Sequence, residues 1–254
     1  MSEPGSNRQD QADRIAPYFE VQLRLAGTVS ALTGEAMSSA VARLTNFHPR
    51  FGLGYIGEGE PSALWLDYLA GLDLVGGHEA WLDWTLQTYL TCPDEVPSAK
   101  QARFGCFSYD PPNEAGDLKI HFNNRDGDPD HGPLSAVRLP ARRAELRQMV
   151  HHMAEVWPDV EAVAGGSWLY NTRAYCSLFP ADYVASAHRV EPLHLTGTSS
   201  WGQLLDFRGQ VKPQMRDAVL AALPDIDAKA PWRVFPLRAL AVRAPLASFL
   251  EFVG

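Results

Sequence analysis

A chain of 254 residues, 46% of them hydrophobic, holds enough apolar material for one large domain or two small ones, and its formal charge of -8 leaves no basic surplus to displace counterions from nucleic acid. Cys92, Cys106 and Cys176 are odd in number and widely spaced, which excludes a disulfide framework and a zinc knuckle. No run approaches membrane-spanning length, and the opening MSEPGSNRQDQADR lacks a basic stretch followed by an apolar core, so a cytoplasmic protein binding neither DNA nor membrane is expected.

Residues 1–13 read as a disordered polar tail. Ile15, Tyr18, Phe19, Gln22 and Leu23 recur at three- and four-residue steps and predict a helix; Glu35–Leu44 predicts a second. Pro49–Pro61, with Gly52, Gly54, Gly57 and Gly59, reads as a loop or a short edge strand with turns. Ser62 is placed to cap a helix carrying Trp65, Leu66, Leu69 and Leu72. Gly76-Gly77 breaks it, and Trp81, Leu82, Thr85, Leu86 and Tyr89 mark the next. Residues 14–100 are therefore expected to form a helical N-terminal region.

The pattern then changes. Arg103–Tyr109 and Asp117–Phe122 read as strands of a hairpin around the turn Asp110–Gly116. A polar loop, Asn123–Ser135, leads to a helix with Pro140 in its first turn and Leu146, Met149, Val150, Met153 and Trp157 in one stripe, ended by Pro158. Strand Glu161–Trp168, short helix Thr172–Phe179, strand Arg189–Leu195, strand Trp201–Phe207, helix Pro213–Leu223, strand Leu237–Val242 and an apolar turn Ala247–Phe252 complete the order. The expected class is α/β of the α+β kind: a mixed β-sheet with flanking helices over residues 101–254, and a helical layer packed on it.

Within this half, Val163–Pro180 (VAGGSWLYNTRAYCSLFP) joins a strand, a glycine break, a polar and aromatic cluster and a short helix, an arrangement in which α/β enzymes often hold ligands. Gly165-Gly166-Ser167 begins like the elbow of a serine hydrolase, but Leu169 stands where that turn needs glycine, and a small residue at a strand end is the favoured reading. Asp126, Asp128 and Asp130, flanked by His121 and His131, alternate as calcium ligands do. The sixth and twelfth positions from Asp126 are His131 and Val137, not the Gly and Glu of an EF-hand, so a solvated acidic loop is favoured over a metal site. Arg138, Arg142, Arg143 and Arg147 read as a solvated basic face or as a seat for an anionic donor. His121, near a strand end, is suited to take a proton from an amine or hydroxyl.

From residue 103 onward the order hairpin, helix, strand, short helix, strand, strand resembles the conserved half of the GNAT-type acyltransferases. Ile120-His121, Pro133-Leu134-Ser135 and Ser167-Trp168-Leu169 are also similar to motifs of a GNAT-like C-terminal domain. The resemblance implies transfer of an acyl or aminoacyl group from a thioester or ester donor to a small-molecule amine or hydroxyl, with no further cofactor required. Acyl-CoA, acyl carrier protein and aminoacyl-tRNA all fit as donors. It implies that His121 accepts the acceptor's proton and Tyr175 protonates the leaving group. Ser167, Trp168, Tyr170, Asn171, Trp201 and Gln203 would then line the acceptor pocket, and Gly165, Gly166, Arg138 and Arg142 would hold the donor. The loop Asn124–Gly132 departs from the phosphate-binding loop of that family, because its three aspartates would repel a pyrophosphate. Either the donor is not coenzyme A or its phosphates lie elsewhere. Two other readings stand beside this one: a non-catalytic small-molecule-binding protein on the same scaffold, and, ranked lower, a metal-dependent enzyme using His121 and the Asp126–Asp130 loop.

Overall fold

The computed structural model describes residues 4–54, 60–92, 102–126 and 128–254; the first residues of the expected tail, Gly57 and Gly59 of the glycine-rich stretch, and Gly127 lie outside the described residues. The chain forms two compact units, one made of residues 1–97 with 192–236 and the other of residues 98–191 with 237–254.

The first unit opens with α1 (Pro4–Thr33), so the stretch expected to be a disordered tail is helical from Pro4. Tertiary contact overrides its polar composition. The Arg8 guanidinium donates to the carbonyls of Tyr89, at 3.0 Å, and Cys92, at 2.8 Å, at the C-terminal end of a helix, where a cation is favoured. Then come α2 (Met37–Leu44), α3 (Phe47–Arg50), α4 (Ala63–Leu74) and α5 (His78–Thr91). Ser62 caps α4 as its sequence implies, its hydroxyl accepting from the Trp65 amide at 3.2 Å. Tyr18, Phe19, Val21, Leu23, Leu25, Ala26 and Val29 are all fully buried, too many for one stripe, so α1 is the central helix of this unit. Buried Gln22 accepts the Asn46 amide at 2.9 Å, and the Asn46 side chain donates to Tyr18 at 2.9 Å, which ties the start of α3 to α1.

The second unit begins with β1 (Ala102–Phe104), β2 (Phe107–Asp110) and β3 (Leu118–Phe122), where two strands were expected. Gly105, at φ 58°, turns the chain and splits the first of them. Next are α6 (Leu139–Val156), β4 (Ala162–Ser167), a 3-10 turn (Trp168–Asn171), α7 (Arg173–Cys176), α8 (Ala181–Ala185) and the two-residue β5 (His188–Arg189). The chain then returns to the first unit with α9 (Thr198–Trp201) and α10 (Pro213–Ala222). It ends in the second with β6 (Leu240–Pro245) and α11 (Leu246–Val253).

The division at residue 100 therefore needs correction. Residues 192–236 belong with the N-terminal helices, because Leu195, Trp201, Leu204, Val219 and Phe235 bury in their core. Trp201–Phe207 is not a strand but α9 and a following 3-10 turn.

The six-stranded sheet has the order β1-β2-β3-β4-β6-β5, with β3 and β4 parallel and every other neighbouring pair antiparallel. The fold is α+β with a mixed sheet and flanking helices. Strand alternation sends Tyr109, Leu118, Ile120, Val163, Val242 and Ala244 to one face, in a core with Met149 and Met153 of α6 and Phe249 of α11. The opposite face carries Lys119, His121, Ala164, Gly166, Ala241 and Arg243, all partly or fully exposed. Among the described residues no helix is long and apolar enough to cross a membrane.

Gly165 and Gly166 thus have different duties. A Cβ on Gly165 would lie 2.2 Å from the Tyr170 hydroxyl and 2.5 Å from that of Tyr183, while one on Gly166 would meet nothing within 4 Å. Gly165→Ala is expected to lower stability by about 1–3 kcal/mol through overpacking. Gly166→Ala should stay within about 0.5 kcal/mol of the parent. Urea unfolding midpoints of the two variants check this.

Candidate functional site

The parallel ladder between β3 and β4 runs from Leu118↔Val163 to Ile120↔Gly165 and stops, although β3 continues to Phe122 and β4 to Ser167. The two strands part there, leaving His121 and Phe122 on one lip and Gly166 and Ser167 on the other. His121 faces the open side of the sheet. Its Nε2 is 2.6 Å from the Asp110 Oδ2, and both side chains are partly exposed. A carboxylate holding one ring nitrogen fixes the orientation and tautomer of a histidine whose other nitrogen then meets substrate. Asp110 was assigned to the hairpin turn by its Pro-Pro neighbours. The signal that could have found it is register: it ends β2 opposite Lys119, one diagonal step from His121.

On the other lip, Ser167 is committed to structure, its hydroxyl accepting the Leu169 amide at 3.1 Å to cap the 3-10 turn. Asn171 donates to the carbonyls of Trp168, at 2.7 Å, and Arg238, at 2.8 Å, pinning that turn to the chain entering β6. Trp168 is half-buried beside it. Tyr170 and Tyr183 share a hydrogen bond at 2.9 Å in the core, and the Tyr175 ring packs 5.1 Å from Tyr170 and 5.3 Å from Phe122. Burial holds all three phenols well above their ordinary range, so they stay protonated. Tyr175 lies on the core face of the sheet and His121 on the opposite one, so the structure does not bring the two together on one face.

Trp201 and Gln203 are fully buried in the first unit rather than lining an acceptor pocket with Ser167. The Trp201 indole donates to the Leu195 carbonyl at 2.9 Å and the Leu44 carbonyl at 3.2 Å, and Gln203 donates to the Ser200 carbonyl at 3.0 Å. Their polar atoms serve the fold.

Arg138 and Arg142 are turned toward the chain's own carboxylates. Arg142, in the first turn of α6 and buried, reaches Asp126 at 3.0 Å and Glu145 at 2.8 Å, and also donates to the Cys106 sulfur. Glu145 in turn accepts the Cys106 amide at 3.0 Å. Arg138 pairs with Asp128 and lies 3.6 Å from Asp126. Asp128 also accepts the amides of Asp130 and His131, at 2.8 and 3.1 Å, and these bonds, with Arg138, pull its carboxyl down to about 2. Asp126 and Asp128 of the acidic loop thus engage Arg138 and Arg142 at the helix start, while Asp130 and Arg143 stay exposed. Among the described residues no three His, Cys, Asp or Glu side chains are grouped closely enough to hold a metal ion.

No protein-family model, no curated protein and no solved structure matches this chain.

Removing the Arg142 guanidinium leaves Asp126 and Glu145 facing each other. Arg142→Met is expected to cost roughly 3 kcal/mol, while Arg143→Ala, on the exposed side of α6, should be nearly neutral by chemical denaturation. Because the Asp128 carboxyl is depressed in the folded state, its contribution is fully present above the ordinary carboxylate range and is lost as pH falls toward about 2. Asp128→Asn should remove that acid-labile component, measured as the difference between parent and variant unfolding midpoints across an acid titration.

Proposed function

We propose that this protein transfers an acyl or aminoacyl group from a thioester or ester donor to a small-molecule amine or hydroxyl, at the lip where β3 and β4 part. The carrying observation is the His121–Asp110 pair, a partly exposed imidazole held by a carboxylate beside the end of the parallel ladder. The order antiparallel strands, helix, strand, short helices, strand from Ala102 to Arg189 is compatible with the GNAT-like resemblance, although the last strand is β6, after residues 192–236, and not the expected Trp201–Phe207. The acceptor's nitrogen or oxygen attacks the donor carbonyl and His121 takes its proton. Main-chain amides along the lip hydrogen-bond the developing oxyanion. The carbonyl re-forms as the carbon–sulfur or carbon–oxygen bond breaks, and the departing group takes the proton that His121 had accepted. The engagement of Arg138 and Arg142 by Asp126 and Asp128 favours a donor whose phosphates, if any, lie away from the start of α6. A second reading, a non-catalytic binding protein on the same scaffold, is favoured by the burial of Tyr175 away from His121.

Mass spectrometry of the protein incubated with pooled acyl thioesters, aminoacyl esters and candidate amines is the test. His121→Ala should lower turnover about 10²-fold with folding intact, and Asp110→Asn should lower it less, since Asp110 orients the ring. Donor binding without product supports the second reading. Turnover unchanged in His121→Ala would remove the base assignment, and neither product nor binding would overturn both readings.

A further inference from the structure

We propose that a groove in the helical unit is a binding site for a small amphipathic carboxylate, its hydrocarbon part seated among leucines and a tryptophan and its carboxylate held by Arg24 and His78. The groove, of about 450 Å³, runs between α1, α5 and the end of α10, all within one unit. That volume falls in the range of small-molecule sites, about 300–1,000 Å³. Its walls are Leu23, Trp81, Leu220 and Leu223. Gly27 lets the Trp81 ring lie close against α1, since a Cβ there would meet the ring at 3.0 Å, and the indole is fixed by its hydrogen bond to the Val75 carbonyl at 3.0 Å.

The polar groups of the lining select the ligand's charge. Arg24 and His78 line the groove and no carboxylate does. Glu20, set back on α1, engages Arg24 Nε at 3.0 Å and Nη2 at 2.8 Å through one oxygen, which leaves Nη1 without a hydrogen bond among the described residues. His78 Nε2 is shielded from solvent, makes no hydrogen bond and lies 3.6 Å from Glu20. Burial, aided by Arg24 and opposed by Glu20 and Glu79, pushes its pKa down, which favours the neutral ring, and His78 is one of the residues lining the groove. A buried polar atom left unpaired is costly. A cationic ligand would be repelled by Arg24, which is exposed, and a hydrocarbon would leave the His78 nitrogen unpaired. A carboxylate satisfies both.

Calorimetric titration of the full chain with octanoate, octanol and octylamine tests this. Octanoate should bind saturably, at least about tenfold tighter than octanol, the difference expected for a charge-assisted hydrogen bond, with octylamine weakest. Arg24→Gln should erase the preference for octanoate over octanol, Glu20→Gln should strengthen octanoate binding, and Leu220→Trp should fill the groove and abolish binding of all three probes. Thermal unfolding of each variant confirms that it folds. Equal affinity for the three probes, octanoate binding indifferent to both Arg24→Gln and Leu220→Trp, or no saturable binding overturns the proposal. None of these substitutions touches His121 or Asp110, so the result is independent of the acyl-transfer reading.

Discussion

The hydroxyls of Tyr170 and Tyr183 meet in the volume that a side chain on Gly165 would occupy, and the second unit is arranged around that contact. Because β4 carries no side chain there, the 3-10 turn and α8 close onto the sheet and bring Tyr175, Phe179 and Phe249 into one aromatic cluster. The same residue is the last of β4 to pair with β3. Close packing on one face and separation of the strands therefore begin at a single glycine. The position of His121 at the lip follows from it.

A second constraint acts at the start of α6. Loop carboxylates and helix arginines that would each be unfavourable alone neutralise one another, and Glu145 and Arg142 both hold the Gly105-Cys106 turn. A buried guanidinium with partners on three sides ties the hairpin, the loop and the helix. This explains how a net-negative loop can pack beside a sheet whose helices would otherwise leave it no role.

Much of this was legible in the sequence where periodicity and local chemistry act alone. The Tyr18–Leu23 stripe, the Ser62 cap and the Pro140 start mark helices α1, α4 and α6 without tertiary information. The failures are of another kind. Pro4–Asp13 is polar and becomes helical because distant carbonyls recruit Arg8. Trp201–Phe207 has the composition of a strand, but its indole and amide are claimed by carbonyls of the helical core. Of the site, His121 could be singled out from its place near a strand end. Asp110 could not, since its partnership depends on which residues of two strands face each other, and Tyr175 was placed by helix position without knowledge of which sheet face it would serve.

The position of β6 bears on how the molecule can be made. This strand follows residues 192–236 in sequence yet lies between β4 and β5, pairing along the whole of β4. During synthesis every other strand leaves the ribosome before it, so β4 emerges with one edge unfilled, an invitation to mispairing with other chains. The first unit waits as well, since α9 and α10 complete its core and emerge after the second unit has begun. The second unit cannot close until the first has been fully translated, and nascent chains stalled between Pro192 and Leu240 would be those most in need of chaperone protection.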